Sequence, residues 1–190
     1  MKKITLSILA LFLVLGLSAQ SHFGIKGGLN YSSLKVKNGE WKNNTSAGWH
    51  AGVLLQAKLP FGFALQPEVL YSVKSVDFGR FDQKYKVNFN FIEVPVNIQW
   101  GIDLILFRPY IMASPYFSYL LSVGDNKSQW DGAKSVDYGF GLGFGIDLWK
   151  LQLTVKKNWG FGNLGHVDSD TWKMNDNTLQ GFQLSVGLLF

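Results

Sequence analysis

The last ten residues constrain the fold more than any other stretch, because large apolar side chains alternate there with small or polar ones. In a β-strand, successive side chains point to opposite faces. One face would then carry only large apolar groups, those of Phe182, Leu184, Val186, Leu188 and Phe190. A half-buried strand of a soluble protein alternates in the same way. Here, however, the apolar face runs to an aromatic residue with no polar residue beyond it, which favours a strand that faces lipid.

The first residues predict export from the cytoplasm. Lys2 and Lys3 precede an apolar run over residues 4–15, and small residues follow up to Ala19. This is the layout of a secretory signal peptide, so residues 1–19 are predicted to be the signal and residues 20–190 a single barrel domain. A membrane-spanning helix needs about 20 apolar residues, which this run does not reach. No second long apolar run exists, so any membrane crossing is expected to use strands.

Composition narrows the function classes. The net charge is +5, of which Lys2 and Lys3 supply two units, and this mild excess gives no indication of nucleic-acid binding. Cysteine is absent, which rules out disulfide bonds and thiolate chemistry. The 21 glycines and the aromatic fraction of 15% suit strands, turns and aromatic belts better than helices.

Alternating segments recur along the whole chain, and the connectors between them differ regularly in length. We count eight such segments, over residues 23–34, 47–59, 62–76, 86–100, 107–123, 135–149, 151–159 and 181–190. Long polar connectors (residues 35–46, 77–85, 124–134 and 161–178) alternate with short ones (residues 60–61, 101–106 and 149–150). This pattern predicts an all-β fold, an eight-stranded antiparallel up-and-down transmembrane β-barrel with its long loops outside and its short turns in the periplasm. Pro109 and Pro115 predict bulges in the fifth strand.

Aromatic residues cluster at the ends of the predicted strands. One set falls at the periplasmic end: Phe23, Phe61, Phe63, Trp100, Phe107, Trp149 and Phe190. Another falls near the outer end: Tyr31, Trp49, Tyr71, Tyr119, Tyr138 and Trp159. Two aromatic girdles around an aliphatic band are typical of a membrane barrel, whereas an ordinary soluble core predicts no such clustering.

Charged residues occur at inward positions of the predicted barrel. The proposed lumen charge cluster comprises Lys26, Glu68, Lys74, Glu93, Arg108, Asp147 and Lys156, and Lys58 and Asp137 are also predicted to point inward. A barrel of this size has room for side chains but not for a channel, so these charges must compensate one another. Glu68 and Glu93 are expected to share one compensated cluster, with Arg108 free to meet Asp147. The cluster is predicted to fill and fix the barrel, and an ion or proton route is the alternative.

Other motifs have weaker functional meanings. Every second residue over 139–145 is glycine, which does not suit a nucleotide-binding loop and instead leaves room inside a narrow barrel. The histidines, His22, His50 and His166, are too scattered for a metal site, so neither a metal nor a cofactor is predicted. Trp41, Trp130 and Trp172 lie in polar outer loops and are candidate contacts for a protein or for lipopolysaccharide.

Several short motifs resemble one family. Residues 24–30 (GIKGGLN), 65–72 (LQPEVLYS), 91–96 (FIEVPV) and 108–115 (RPYIMASP) are similar to the PorT-type outer membrane protein beta-barrel family, as are residues 160–164 and the terminal Phe190. The resemblance implies an integral barrel of the bacterial outer membrane, and PorT itself is associated with a protein secretion and maturation system. The apolar residues of the last strand, from Phe182 to Phe190, also resemble the assembly signal of such barrels, which implies the barrel-assembly machinery as a partner.

The sequence therefore predicts a non-enzymatic outer-membrane protein with a filled lumen and a structural or surface-interaction role. This predicted role includes that of an accessory protein in secretion or envelope assembly. The expected partners are outer-membrane lipid, lipopolysaccharide, the barrel-assembly machinery and a secretion or surface protein. Two alternatives remain open. A barrel enzyme acting on lipid would need a His–Ser–acid cluster at the outer rim, and a secreted lipocalin-like carrier would need an apolar lumen.

Overall fold

The strands predicted from alternation are all present. A computed structural model describes residues 21–35, 43–80, 83–123, 136–161 and 178–190. Eight strands pair in sequence order, each antiparallel to the next, and β8 pairs with β1 to close the barrel. The strands are β1 (Ser21–Lys35), β2 (Asn43–Lys58), β3 (Phe63–Arg80), β4 (Gln83–Gly101), β5 (Arg108–Val123), β6 (Val136–Leu148), β7 (Leu151–Gly160) and β8 (Thr178–Leu189). The predicted fold class is confirmed.

Some predicted features fall outside this description. The proposed signal peptide, residues 1–19, and the loop residues Trp41, Trp130 and Trp172 do not lie among the described residues. Within the described ranges, one short 3-10 turn, Pro60–Gly62, joins β2 to β3. None of the helical structure in those ranges is long and apolar enough to cross a membrane.

The wall is apolar outside and polar inside. In β8, Phe182, Leu184 and Val186 face outward and are exposed, whereas Gln183 and Ser185 face inward and are buried. The other strands repeat this division, and most of the fully buried large side chains are amides or charged groups. Such a surface requires lipid around it. A lumen lined by amides, hydroxyls and charges also does not fit a carrier of apolar ligands.

The predicted loop over residues 77–85 is wrong. β3 continues to Arg80 and β4 begins at Gln83, so two residues separate strands that still pair as Arg80↔Gln83. The alternation of apolar and polar residues weakens over this stretch of the sequence, which is why the pattern predicts that the strands end there. Backbone pairing does not require a regular alternation of apolar and polar residues, so the weaker alternation does not mark the end of the hairpin.

The predicted bulges at Pro109 and Pro115 are also wrong. The register between β5 and β6 runs from Arg108↔Asp147 to Tyr119↔Val136 without a shift. Opposite Pro115, the pairing with β4 skips two positions and resumes in the same register. A proline lacks a backbone donor, so it removes a ladder bond without adding a residue. The shift on β5 occurs nearer the outer end, where Asn90 faces Ser122 and Phe91 faces Leu120.

Candidate functional site

Arg108 organises the end of the lumen that carries the turns after β2, β4 and β6, the predicted periplasmic end. Its side chain is buried and its Nη1 lies 3.3 Å from Asp147 Oδ2, across the β5–β6 pair. The same nitrogen donates to Gln99 Oε1 at 3.1 Å, and Nη2 donates to the Gly62 carbonyl at 3.0 Å. The guanidinium therefore ties two strands and one turn together beneath the lumen.

Amide side chains cross the lumen above Arg108. Gln56 on β2 donates to Asp147 on β6 at 3.1 Å. Gln66 on β3 and Gln152 on β7 lie within hydrogen-bond distance of each other, with N···O separations of 3.0 Å. In a closed order of eight strands, β2 and β6 are opposite, as are β3 and β7. These contacts therefore span the full width of the barrel.

Higher in the lumen, two carboxylates lie against two lysines. Lys26 Nζ is 2.5 Å from Glu68 Oε1, and Lys74 Nζ is 2.9 Å from Glu93 Oε2. Within the expected cluster of Glu68 and Glu93, each carboxylate therefore has its own lysine partner. All four side chains are buried. Gln183 on β8 also reaches Glu93 on the opposite strand β4 at 3.4 Å, which adds a third crossing.

Lys156 lies between these pairs. It is buried, donates to Ser114 Oγ at 3.2 Å and interacts electrostatically with both Glu93 and Glu68. A Cβ at Gly141 would lie 3.0 Å from the Lys156 Cδ. Gly141 therefore provides space that the lysine stem occupies, and Gly139 and Gly145 provide space for the rings of Tyr116 and Tyr110, which is the packing role inferred for these glycines from the sequence.

Two further charges were predicted to point inward. Asp137 is buried on β6. Lys58 continues the inward face of β2 that carries His50 and Gln56, and it pairs with buried Ala64. It is the last residue of the strand, so its side chain lies at the mouth of the lumen, where it is 29% exposed and its Nζ lies 3.6 Å from Asp103.

A hydrogen-bonded set that the sequence did not reveal joins Asn30, His50 and Ser185. The Asn30 amide nitrogen donates to the Trp49 and Val73 carbonyls at 3.1 and 3.2 Å, so its oxygen must face His50. His50 Nδ1 lies 2.9 Å from that oxygen and must carry the proton. His50 Nε2 lies 2.9 Å from Ser185 Oγ, and in the neutral ring with the proton on Nδ1 it accepts from that hydroxyl.

This set lies at the seam where the barrel closes. Gly28 on β1 is opposite both His50 on β2 and Ser185 on β8. A Cβ at Gly28 would lie 2.8 Å from His50 Cε1, so the absence of a side chain lets the imidazole reach across β1. His50 and Ser185 are only 1% and 5% exposed.

A small recess opens at the outer end of the lumen. It has a volume of about 280 Å³, including its open mouth, and its polar lining includes Asn30, Lys74, Tyr116, Asn158 and Gln183. The Asn158 side-chain oxygen has no hydrogen-bond partner among the described residues. Nor do those residues include a group of three His, Cys, Asp or Glu side chains placed to hold a metal ion.

A closed barrel with an apolar exterior and a hydrogen-bonded polar lumen defines the class of eight-stranded outer-membrane barrels. Residues 18–165 match the family described as "Outer membrane protein beta-barrel domain", and the chain belongs to that family. The protein is therefore a barrel of the bacterial outer membrane.

Solved structures show the same fold at low sequence identity. OprG from Pseudomonas aeruginosa is 14% identical, with a TM-score of 0.52 over 90% of this chain and 96% of its own. Neisserial surface protein A is 12% identical, with a TM-score of 0.51 over 90% of this chain and 99% of its own. A comparison with curated protein sequences finds no match.

Proposed function

We propose that the protein is a non-enzymatic scaffold of the outer membrane. Its filled lumen holds the barrel rigid, and its outer end contacts lipopolysaccharide or a surface or secretion protein. The observation that carries this proposal is the set of contacts across the lumen between opposite strands: Gln56–Asp147, Gln66–Gln152 and Gln183–Glu93. Side chains that meet in the middle of the barrel leave its two ends for contact with other molecules.

An accessory role in secretion or envelope assembly is the more specific form of this proposal. The similarity of residues 24–30, 65–72, 91–96 and 108–115 to PorT-type barrels supports it. On this view a protein partner binds at the outer end, and the barrel-assembly machinery recognises the last strand during insertion.

Because its lumen is filled, the protein is expected not to conduct ions across a bilayer. We expect the unmutated protein, reconstituted in planar lipid bilayers, to give no steady channel currents, because hydrogen-bonded side chains occupy the path along the axis. A large-pore porin reconstituted in the same bilayers is the positive control. Steady currents from the unmutated protein would contradict the scaffold proposal and favour an ion route through the lumen.

One observation favours the alternative of a barrel enzyme acting on lipid. The order Asn30, His50 and Ser185 matches an orienting residue, a base and a nucleophile. The orienting residue, Asn30, is an amide and not an acid, however, and the set faces the lumen and not the lipid. Burial of Ser185 and His50 supports a structural role in closing the seam.

Labelling with a fluorophosphonate that reacts with activated serines distinguishes a structural role of Ser185 from a catalytic one. We expect no labelling of the folded protein in vesicles, because Ser185 is buried beneath the outer recess. A secreted serine hydrolase labelled in parallel confirms that the probe is active. Labelling that disappears in the Ser185→Ala variant would support an enzyme instead.

A further inference from the structure

The turn between β4 and β5 differs in composition from the other two turns at the periplasmic end. It holds four exposed aliphatic residues: Ile102, Leu104, Ile105 and Leu106. The turns after β2 and β6 each expose one aromatic residue at the tip, Phe61 and Trp149. Aromatic rings suit the boundary between lipid and water, whereas aliphatic side chains have no polar group to place in water. The aliphatic surface is therefore concentrated on one sector of the rim.

Backbone hydrogen bonds continue the β4–β5 hairpin almost to its tip. Gly101 pairs with Tyr110 at the end of the two strands. Beyond this pair, the Ile102 N–H donates to the Pro109 carbonyl at 3.1 Å, and the Leu104 N–H donates to the Phe107 carbonyl at 3.0 Å. Ile105, whose side chain is fully exposed, and Leu106 are left at the tip. The hydrogen-bonded backbone therefore presents these two side chains at the end of an extended hairpin.

The length of the hairpin places its tip beyond the lipid headgroups. Trp100 and Phe63, which pair with each other, belong to the predicted periplasmic girdle. Ile105 follows Trp100 by five residues, which is roughly 12 Å of height at the usual rise and tilt of a barrel strand. Phe61 is two residues from Phe63, or roughly 5 Å. Because the headgroup layer is about 5–8 Å thick on each side, Phe61 stays within it, whereas Ile105 reaches the periplasm.

The charge of the turn is directed away from the tip. Asp103 is the one charged residue in the sequence over 102–107. Its Oδ1 lies 3.5 Å from Arg108 Nε and 3.6 Å from Lys58 Nζ, so both neighbouring cations compensate it. The tip is then apolar and uncharged, although a turn surrounded by water is expected to carry polar residues. An exposed apolar patch with polar residues at its edge marks a contact site for another molecule.

We propose that residues 102–106 form a docking turn for a periplasmic protein, whose apolar groove takes Ile105 and Leu106. Lipid surrounds a barrel on all sides, whereas the aliphatic tip occupies one sector and lies beyond the headgroups. Backbone hydrogen bonds already order the turn, so little conformational freedom is lost on binding. This contact lies at the end opposite the one proposed for the outer partner and does not depend on that proposal.

Two single-cysteine variants measure whether the tip lies in lipid or in water. The sequence has no cysteine, so Ile105→Cys and Phe61→Cys would each carry one nitroxide label in the full protein, in phosphatidylethanolamine nanodiscs. Collision rates with oxygen, which partitions into lipid, and with a water-soluble nickel complex would be measured. We expect the label at 105 to favour nickel and the label at 61 to favour oxygen. A label at 105 that favours oxygen as strongly as the label at 61 would place the tip in lipid and overturn the docking turn.

Thiol protection tests for the protein partner. Ile105→Cys in intact cells and in nanodiscs would be treated with a small charged maleimide that enters the periplasm through porins. The ratio of rates for Trp149→Cys corrects for entry of the reagent. After this correction, we expect a several-fold slower reaction at 105 in cells, because the groove of the partner covers that position. Leu106→Asn in the same background should restore the faster reaction, whereas Lys150→Gln, on the neighbouring turn, should leave it slow.

Two outcomes of the protection measurement would contradict the docking turn. Equal ratios at positions 105 and 149 would show that nothing covers the tip in cells. A slow reaction at 105 in purified protein at high density in vesicles would assign the tip to a second copy of this chain and not to a periplasmic protein. Neither outcome bears on the scaffold proposal, which the bilayer recordings test separately.

Discussion

Replacing Arg108 by alanine is expected to lower the free energy of unfolding by about 3–5 kcal/mol, because the change leaves a buried carboxylate without its cation. Asp147 would keep only its amide donors, Gln56 and Gln152. The Gly62 carbonyl would also lose its donor. Urea unfolding in lipid vesicles, followed by tryptophan fluorescence, measures the loss.

Two further variants test the cause of that loss. Lys150→Ala removes an exposed cation and is expected to change stability by at most about 0.5 kcal/mol. The double variant Arg108→Met with Asp147→Leu is expected to recover part of the loss, since an apolar pair often replaces a buried ion pair without penalty. An Arg108→Ala protein that keeps its stability but conducts ions would instead assign the cluster to an ion route.

Replacing Phe144 by arginine is expected to destabilise the barrel by about 2–4 kcal/mol, the cost of a charge facing lipid near the midplane. Phe144 is 61% exposed on the outer face of β6. Gly143→Arg, one residue away, is also expected to destabilise, but by overfilling the lumen, where a Cβ would lie 2.8 Å from Met112 Cε.

A change in bilayer thickness distinguishes the cost of a charge facing lipid from the cost of overfilling the lumen. Shorter lipid chains bring water closer to position 144, so the loss in Phe144→Arg should decrease. The loss in Gly143→Arg should stay the same, because the lumen does not change with the lipid. Unfolding curves for both variants in vesicles of two chain lengths provide the comparison. Equal relief in both variants would show that the faces of β6 are assigned wrongly.

The strands and the directions of their side chains could be predicted from the sequence, because the alternation of apolar and polar residues indicates both. The outward positions of β6 and β8, such as Phe144 and Val186, follow directly from a period of two. The rule failed over residues 77–80 and 83–85, where the alternation of apolar and polar residues in the sequence weakens although the backbone continues as paired strands.

The lumen contacts were only partly predictable. Alternation placed Lys26, Glu68, Lys74 and Glu93 inside, but their pairing depends on register and on side-chain reach, which alternation does not specify. The contact of His50 with Ser185 joins residues 135 positions apart and depends on the missing side chain of Gly28. The amides Gln66 and Gln152 carry no charge, so their inward placement by alternation was the only signal for their contact across the lumen.

The crossings of the lumen have a consequence for how the chain folds. Each joins a strand of the first half to its counterpart in the second, with partners 86 to 91 residues apart in sequence. A half-built sheet therefore cannot satisfy the polar groups on its inner face, and they stay hydrated until the second half arrives. Contacts this distant in sequence make folding slow and cooperative. A truncated chain that ends after β4 is expected to form an open sheet with a hydrated inner face and not a partial barrel.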